Sequence, residues 1–161
     1  MNTVDKQYQG FLRKLIMYGQ EKEDRTGTGT LSYFGEQFRH DMSKGFPLLT
    51  TKKMAIKTMM TELKWFLKGD TNVKYLVDNG CNIWNGDAYK NFLKNSVPHD
   101  HQETIQEFIN KIKTDDEFAA KWGELGPIYG KQWKDWAGKD QIKELIKNIK
   151  ENPNSRRLIV S

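Results

Sequence analysis

Arg25 stands beside Thr26-Gly27-Thr28-Gly29-Thr30, a stretch built to hold an anion. Glycines let a backbone approach a ligand closely, and hydroxyls with a guanidinium offer paired donors to a phosphate. The same spacing also suits a tight turn leading into a strand, with Arg25 solvated. Ser155-Arg156-Arg157 is a second candidate for anion binding. Neighbouring residues of a strand point to opposite faces, so the two guanidiniums cannot do the same local job, and an ordinary surface pair also explains the doublet. Glu62 lies in TELKWFL, where helical spacing puts Thr58, Met59, Trp65 and Phe66 beside it. A carboxylate bordering apolar surface resists ionisation and can relay protons near neutral pH; a solvent-facing helix glutamate is the plainer reading. Trp84 and the aromatics of GPIYGKQW can stack on a flat heterocycle or fill a core.

Other reactive types point to less. Cys81 is the one cysteine, which excludes an internal disulfide and a cysteine metal cluster. It precedes Ile83-Trp84 and reads as a small buried hydrophobe. His99 and His101 lack a third ligand nearby and read as surface residues, so no metal is expected. The net charge of +5 would suit an anionic ligand, but the basic residues are scattered, so nucleic acid is not indicated. No apolar run approaches the roughly 20 residues that cross a bilayer, and MNTVDKQYQG lacks the layout of a signal peptide. The expectation is a cytoplasmic chain without membrane partners.

The elements that must position these groups follow from periodicity. Tyr8, Phe11, Leu12, Leu15 and Ile16 are helically spaced, with Asp5 as N-cap. Residues 30–40 alternate as a strand, with a bulge at Gly35. Ile56, Met59, Met60, Leu63, Phe66 and Leu67 predict a more buried helix ended by Gly69. Asp70 is expected to cap a short helix with Val73, Leu76 and Val77 inward. Ile105, Phe108, Ile109 and Ile112 mark another helix, and Thr114 with Glu117 predicts a capping box for the next. Asp140 opens a last helix carrying Ile142, Leu145, Ile146 and Ile149 on one face, stopped by Asn152-Pro153. RRLIVS reads as the start of a buried strand. Helices alternating with at least two strands give a mixed αβ class.

In order, the blocks DRTGTGT (24–30), GFPLLTTKK (45–53), ELKWFLKGDTN (62–72), NIW (82–84), GPIYGKQW (126–133) and NPNSRRLIVS (152–161) resemble thymidylate synthase. The resemblance implies an α+β fold of helices packed on a twisted mixed sheet, in a homodimer. It makes residues 1–161 the N-terminal part of such a domain, with a small helical insert at about 88–121. It implies reductive methylation of dUMP to dTMP with methylenetetrahydrofolate as co-substrate.

By the same resemblance Arg25 grips the nucleotide phosphate, and Arg156 and Arg157 reach the partner's phosphate across the dimer. Glu62 would organise water and proton transfer, and Tyr129 would lie near the reacting pyrimidine carbon. Ile83 and Trp84 would pack on folate, with Lys52 and Lys53 near its glutamate tail. The sequence departs from the family at Ala55, where many members have a folate-contacting histidine, and at Asp87, where a second tryptophan is common. The nucleophile's Pro-Cys-His motif does not occur. Covalent attack on the pyrimidine needs a thiolate, so the reading expects an incomplete site, inactive alone. A non-catalytic nucleotide- or partner-binding fragment and a dCMP hydroxymethylase relative remain the alternatives.

Overall fold

A computed structural model describes residues 2–24, 27–96 and 103–161. His99 and His101 lie outside them, as does Arg25. The chain divides into two compact units, residues 1–55 and 56–161.

The first unit is built on α1 (Thr3–Tyr18) and a hairpin of β1 (Gln20–Lys22) with β2 (Thr30–Ser32). The strands pair antiparallel, with Glu21 opposite Leu31. The N-cap of α1 is Asn2, not Asp5: Asn2 Oδ1 accepts from the Asp5 amide at 2.7 Å. Asp5 sits inside the first turn, and its carboxylate is engaged elsewhere. Tyr8, Phe11 and Leu15 are half-buried, and Phe11 meets Phe38 edge-on at 6.0 Å. The strand expected over 30–40 ends at Ser32. Gly35 adopts φ 76°, a left-handed conformation that leaves extended geometry. Residues 33–55 then run without regular structure apart from a single 3₁₀ turn, Met42–Lys44.

The second unit is helical. α2 (Ile56–Lys68) is followed by α3 (Lys74–Asp78), α4 (Asn85–Asn95), α5 (Ile105–Thr114), α6 (Asp116–Trp122), α7 (Tyr129–Lys134) and α8 (Gln141–Glu151). Gly69 closes α2 at φ 73°, as its position after the apolar run predicts. The burial of α2 differs from expectation. Thr61, Trp65 and Phe66 are buried, while Ile56, Met59, Met60, Leu63 and Leu67 are exposed. The two aromatic rings win the interior because they pack with Leu76 and Cys81 into one core cluster. A second cluster gathers Val73, Val77, Ala88, Phe92, Phe108, Ile112 and Ala119. Trp84 and Leu125 pack against both clusters and join them.

Capping also departs from the sequence reading in places. Asp70 does not cap α3: its Oδ1 accepts from Asn72 N at 3.0 Å, and Asn72 Oδ1 in turn accepts from Lys74 N at 2.9 Å. The capping box belongs to Thr104 and Glu107 at the head of α5, whereas α6 starts on Asp115, whose Oδ1 accepts from Phe118 N. Thr114 is the last residue of α5, and its hydroxyl bonds back to Asn110 O. Asp140 caps α8 as expected, accepting from Lys143 N at 2.9 Å. The apolar face of α8 is at most half-buried, with Ile146 and Ile149 exposed. No strand forms over RRLIVS; Arg156 and Arg157 lie in a turn. A β-branched run needs a partner ladder, and among the described residues the side-chain amide of Gln141 takes that place. It donates to Ser161 O at 2.8 Å and accepts from Ser161 N at 3.0 Å. No described helix is long and apolar enough to cross a membrane.

Candidate functional site

Glu62, Trp84 and Tyr129, far apart in sequence, come together in the second unit. Glu62 projects from the middle of α2 and is half-buried. Its Oε1 accepts the indole N–H of Trp84 at 2.8 Å. A carboxylate partnered by a half-buried donor that is itself packed in place is fixed in direction, which a freely solvated one is not. Trp84 is held at the head of α4 by packing on Trp65 (5.9 Å between ring centroids) and edge-on to Phe66 (6.3 Å). Tyr129 opens α7 and meets Phe66 at 5.4 Å and Trp84 at 6.4 Å, both edge-on. Edge-to-face packing suits the charge distribution of the rings and leaves each ring's orientation fixed by its neighbours. Ile83 and Tyr129 remain about half exposed, at 53% and 52%. The result is a half-open aromatic wall that carries one oriented carboxylate.

Two contacts set the spacing of that wall. Gly69 and Gly130 bring the end of α2 against α7. A Cβ on Gly130 would stand 2.6 Å from Asp70 O, and one on Gly69 2.8 Å from Lys134 Cβ. Asn72 ties the same corner to α6. Its Nδ2 donates to Ala119 O at 2.8 Å, its carbonyl accepts the Trp65 indole at 2.9 Å, and it bridges to Glu124. Sequence reasoning did not single out Asn72. Its position in GDTN, three residues after a helix-ending glycine, is the local signal for such a hub.

Cys81 borders this site but is closed off, with 0% exposure. Burial pushes its thiol up, a backbone hydrogen bond to Ile83 works against that, and the nearby Glu62 carboxylate adds a smaller upward push. It therefore stays a protonated, packed thiol, as its apolar context predicts.

The remaining candidates sit elsewhere. Arg156 and Arg157 are exposed. Lys52 and Lys53 belong to the first unit and are exposed there. The hairpin loop of that unit borders a cleft of about 590 Å³, lined in part by Asp24, Gly27, Thr28 and Gly29. Gly27 and Gly29 adopt φ 73° and 76°, which the loop needs glycine to reach. Asp24 Oδ1 accepts from the amides of Thr28 (3.2 Å) and Gly29 (3.3 Å), so these loop amides converge on a carboxylate. Among the described residues no group of three His, Cys, Asp or Glu side chains is arranged to hold a metal ion.

Comparison with known proteins gives this geometry a context. A family model described as thymidylate synthase matches residues 6–161. The thymidylate synthase of Mycoplasma mobile is 56% identical over 155 residues, covering 96% of this chain and 53% of that protein. That of Mycoplasma genitalium is 56% identical over 156 residues, 97% of this chain and 54% of the relative. That of aster yellows witches'-broom phytoplasma is 52% identical over 161 residues, 100% of this chain and 54% of the relative. The chain spans about half the length of the curated relatives it matches.

Proposed function

The chain belongs to the thymidylate synthase family, and on that premise we propose that it carries part of the site for reductive methylation of dUMP to dTMP, with methylenetetrahydrofolate as co-substrate. The observation that carries the reading is the juxtaposition of Glu62, Trp84 and Tyr129 on one half-open wall. Trp84 and Ile83 supply apolar surface for the folate ring system, and Tyr129 borders the pyrimidine. Glu62, oriented by the indole, orders water and shuttles the proton. Lys52 and Lys53 face the glutamate tail of folate. Arg25, Arg156 and Arg157 are the phosphate ligands, the adjacent pair serving a partner's site in a homodimer. The exposed stripe Ile56, Met59, Met60, Leu63 and Leu67 supports a larger assembly, because apolar surface of that kind is usually covered. The fold of that assembly would be helices on a twisted mixed sheet, with residues 88–121 as a small helical insert, working in the cytoplasm.

One observation supports a second reading for these 161 residues by themselves. The only thiol, Cys81, is sealed in the core and held protonated, so it does not supply the nucleophile that the reaction needs. By themselves they would then bind nucleotide without turning it over. Calorimetric titration with dUMP and with dCMP tests the proposal. Heat with dUMP that disappears in Arg156→Ala/Arg157→Ala supports phosphate recognition. No heat at high excess of either nucleotide counts against it, and preference for dCMP moves the chain to the hydroxymethylase class.

A further inference from the structure

The segment that presents Lys52 and Lys53 has no regular structure of its own, so something else must fix it. Within the first unit, that something is the N-terminal turn of α1. Asp5 is 1% exposed, an unusual place for a carboxylate. Its Oδ1 accepts the backbone amide of Thr50 at 2.7 Å, and its Oδ2 accepts the Thr50 hydroxyl at 2.5 Å. Asn2, which caps the same turn, donates from Nδ2 to Leu48 O at 3.0 Å. One turn further along, Gln7 closes a two-way bond with the backbone of Arg39: it donates to the carbonyl at 2.8 Å and accepts from the amide at 2.8 Å. Three polar side chains at the amino end of α1 thus grip the otherwise irregular connection at positions 39, 48 and 50.

The grip at Thr50 is the tightest of these and lies two residues before Lys52. Both oxygens of one carboxylate are used, on the amide and hydroxyl of a single residue, which fixes the rotation of that residue as well as its distance. The Asp5 carboxylate lies near the amino end of α1, where the helix dipole favours negative charge. A buried carboxylate is costly unless its bonds are all made, and here two strong donors make them. We infer that Asp5 is a positioning residue: through Thr50 it holds the backbone from which Lys52 and Lys53 project, so that the two side chains spring from set positions toward an extended ligand bearing several carboxylates. The inference rests on the reading of those lysines as the folate-tail side of the site. It adds the group that orients them, which touches no ligand itself.

Its consequence is selective. Loosening Thr50 frees the backbone beneath the two lysines and raises the cost of bringing both to the ligand, which weakens binding of a multi-carboxylate tail more than binding of the ring system. The test compares affinity for a folate carrying one glutamate with affinity for the same folate carrying five, in the unaltered chain and in four variants. In the unaltered chain the longer tail binds more tightly. Asp5→Asn, which keeps the shape but turns a donor toward Thr50, should reduce that advantage about five- to tenfold while the one-glutamate affinity changes little. Thr50→Val, which keeps the amide bond to Asp5 and removes the hydroxyl, should give a smaller reduction, and Thr50→Ser should restore it. Should Asp5→Asn fail to fold, the Val and Ser pair decides alone. If Lys52→Ala/Lys53→Ala abolishes the advantage while Asp5→Asn or Thr50→Val leaves it intact, the inference is overturned and the reading of the lysines stands. If the unaltered chain shows no advantage, or the double lysine variant keeps it, both fall together.

Discussion

Trp84 donates its indole N–H to Glu62 Oε1 at 2.8 Å, a bond spanning 22 positions that links the head of α4 to the middle of α2. It is where the core of the second unit meets the one carboxylate of its aromatic wall, since the same indole packs on Trp65 and Phe66. Trp84→Phe keeps most of the ring and removes the donor. It should lower unfolding stability by about 1–3 kcal/mol, as expected when a carboxylate loses a partner in a half-buried setting. Glu62→Gln retains a carbonyl acceptor for the indole and should cost under about 1 kcal/mol. Urea midpoints of the two variants decide between a structural bond and an incidental contact: equal, negligible shifts would show that the bond carries no weight.

Gly130 has Asp70 O where a Cβ would be, at 2.6 Å, and that oxygen is backbone that cannot swing aside. Gly130→Ala should force α7 away from α2, destabilise by about 1–3 kcal/mol, and alter the near-ultraviolet dichroism of the Tyr129–Phe66–Trp84 group. Gly86→Ala, with open space around its Cβ position inside a helix, should be neutral or slightly stabilising by comparison. An unchanged near-ultraviolet spectrum in Gly130→Ala would remove the glycine from the list of what sets the wall.

Acid should loosen the first unit through Asp5. Its hydrogen bonds to the Thr50 hydroxyl and amide hold the carboxyl below the ordinary carboxylate value. A carboxyl lowered in the folded state contributes stability that is fully present above the unfolded value, about 3.9, and is lost as pH falls through the lower folded value. Far-ultraviolet dichroism should therefore show α1 holding down to about pH 4 and giving way below it, and Asp5→Asn should flatten that limb. A transition centred near pH 6 would point to histidine, not Asp5.

Much of the helical framework is legible from sequence, because its signals are local. The apolar spacing of α2 with Gly69 behind it, and Asp140 one residue ahead of α8, need nothing beyond their neighbours. Choices between equivalent signals are another matter. Thr104-x-x-Glu107 and Thr114-x-x-Glu117 carry the same capping pattern, and only the first forms the box, because Asp115 takes the start of α6 instead. Asn2 and Asp5 compete likewise for α1, and a hydrogen-bond partner 45 positions away settles it. RRLIVS reads as strand from its β-branched residues, but a ladder is a property of two segments, and Gln141 is the one that meets it. The inward face of α2 escapes the sequence for a related reason: periodicity locates an apolar stripe, whereas the neighbours decide which side is buried. In the candidate site, Glu62 is legible as a helix carboxylate beside apolar residues and Trp84 as a stacking ring, whereas Asn72, whose bonds to Trp65 and Ala119 are tertiary, carries no such mark.

The capping outcome can be weighed directly. Thr104→Ala should lower stability by about 1 kcal/mol by removing the hydroxyl's half of the box, while the amide of residue 104 keeps its bond to Glu107. Thr114→Ala should change it by less than about 0.5 kcal/mol, since its hydroxyl only bonds back to Asn110 within a helix that is already capped. Thermal melts of the two variants side by side would reverse this assignment if Thr114→Ala proved the more harmful.

Cys81 offers a clean readout of the second unit's core. With no exposed surface and a thiol pushed up by burial, it should resist an aromatic disulfide reagent in the folded chain and react at once in guanidinium. Cys81→Ala should cost about 1–2 kcal/mol for the space left beside Trp65 and Leu76. Rapid labelling of the native chain would mean that this core opens readily.

Among the described residues of the first unit, only Val4 and Asp5 are buried. A body held by hydrogen bonds around a carboxylate, with little oil inside, gains little heat capacity when it opens. Its stability curve should accordingly be shallow. Warming and cooling would bend it far less than they bend residues 56–161, whose aromatic interior gives water much more new surface to solvate.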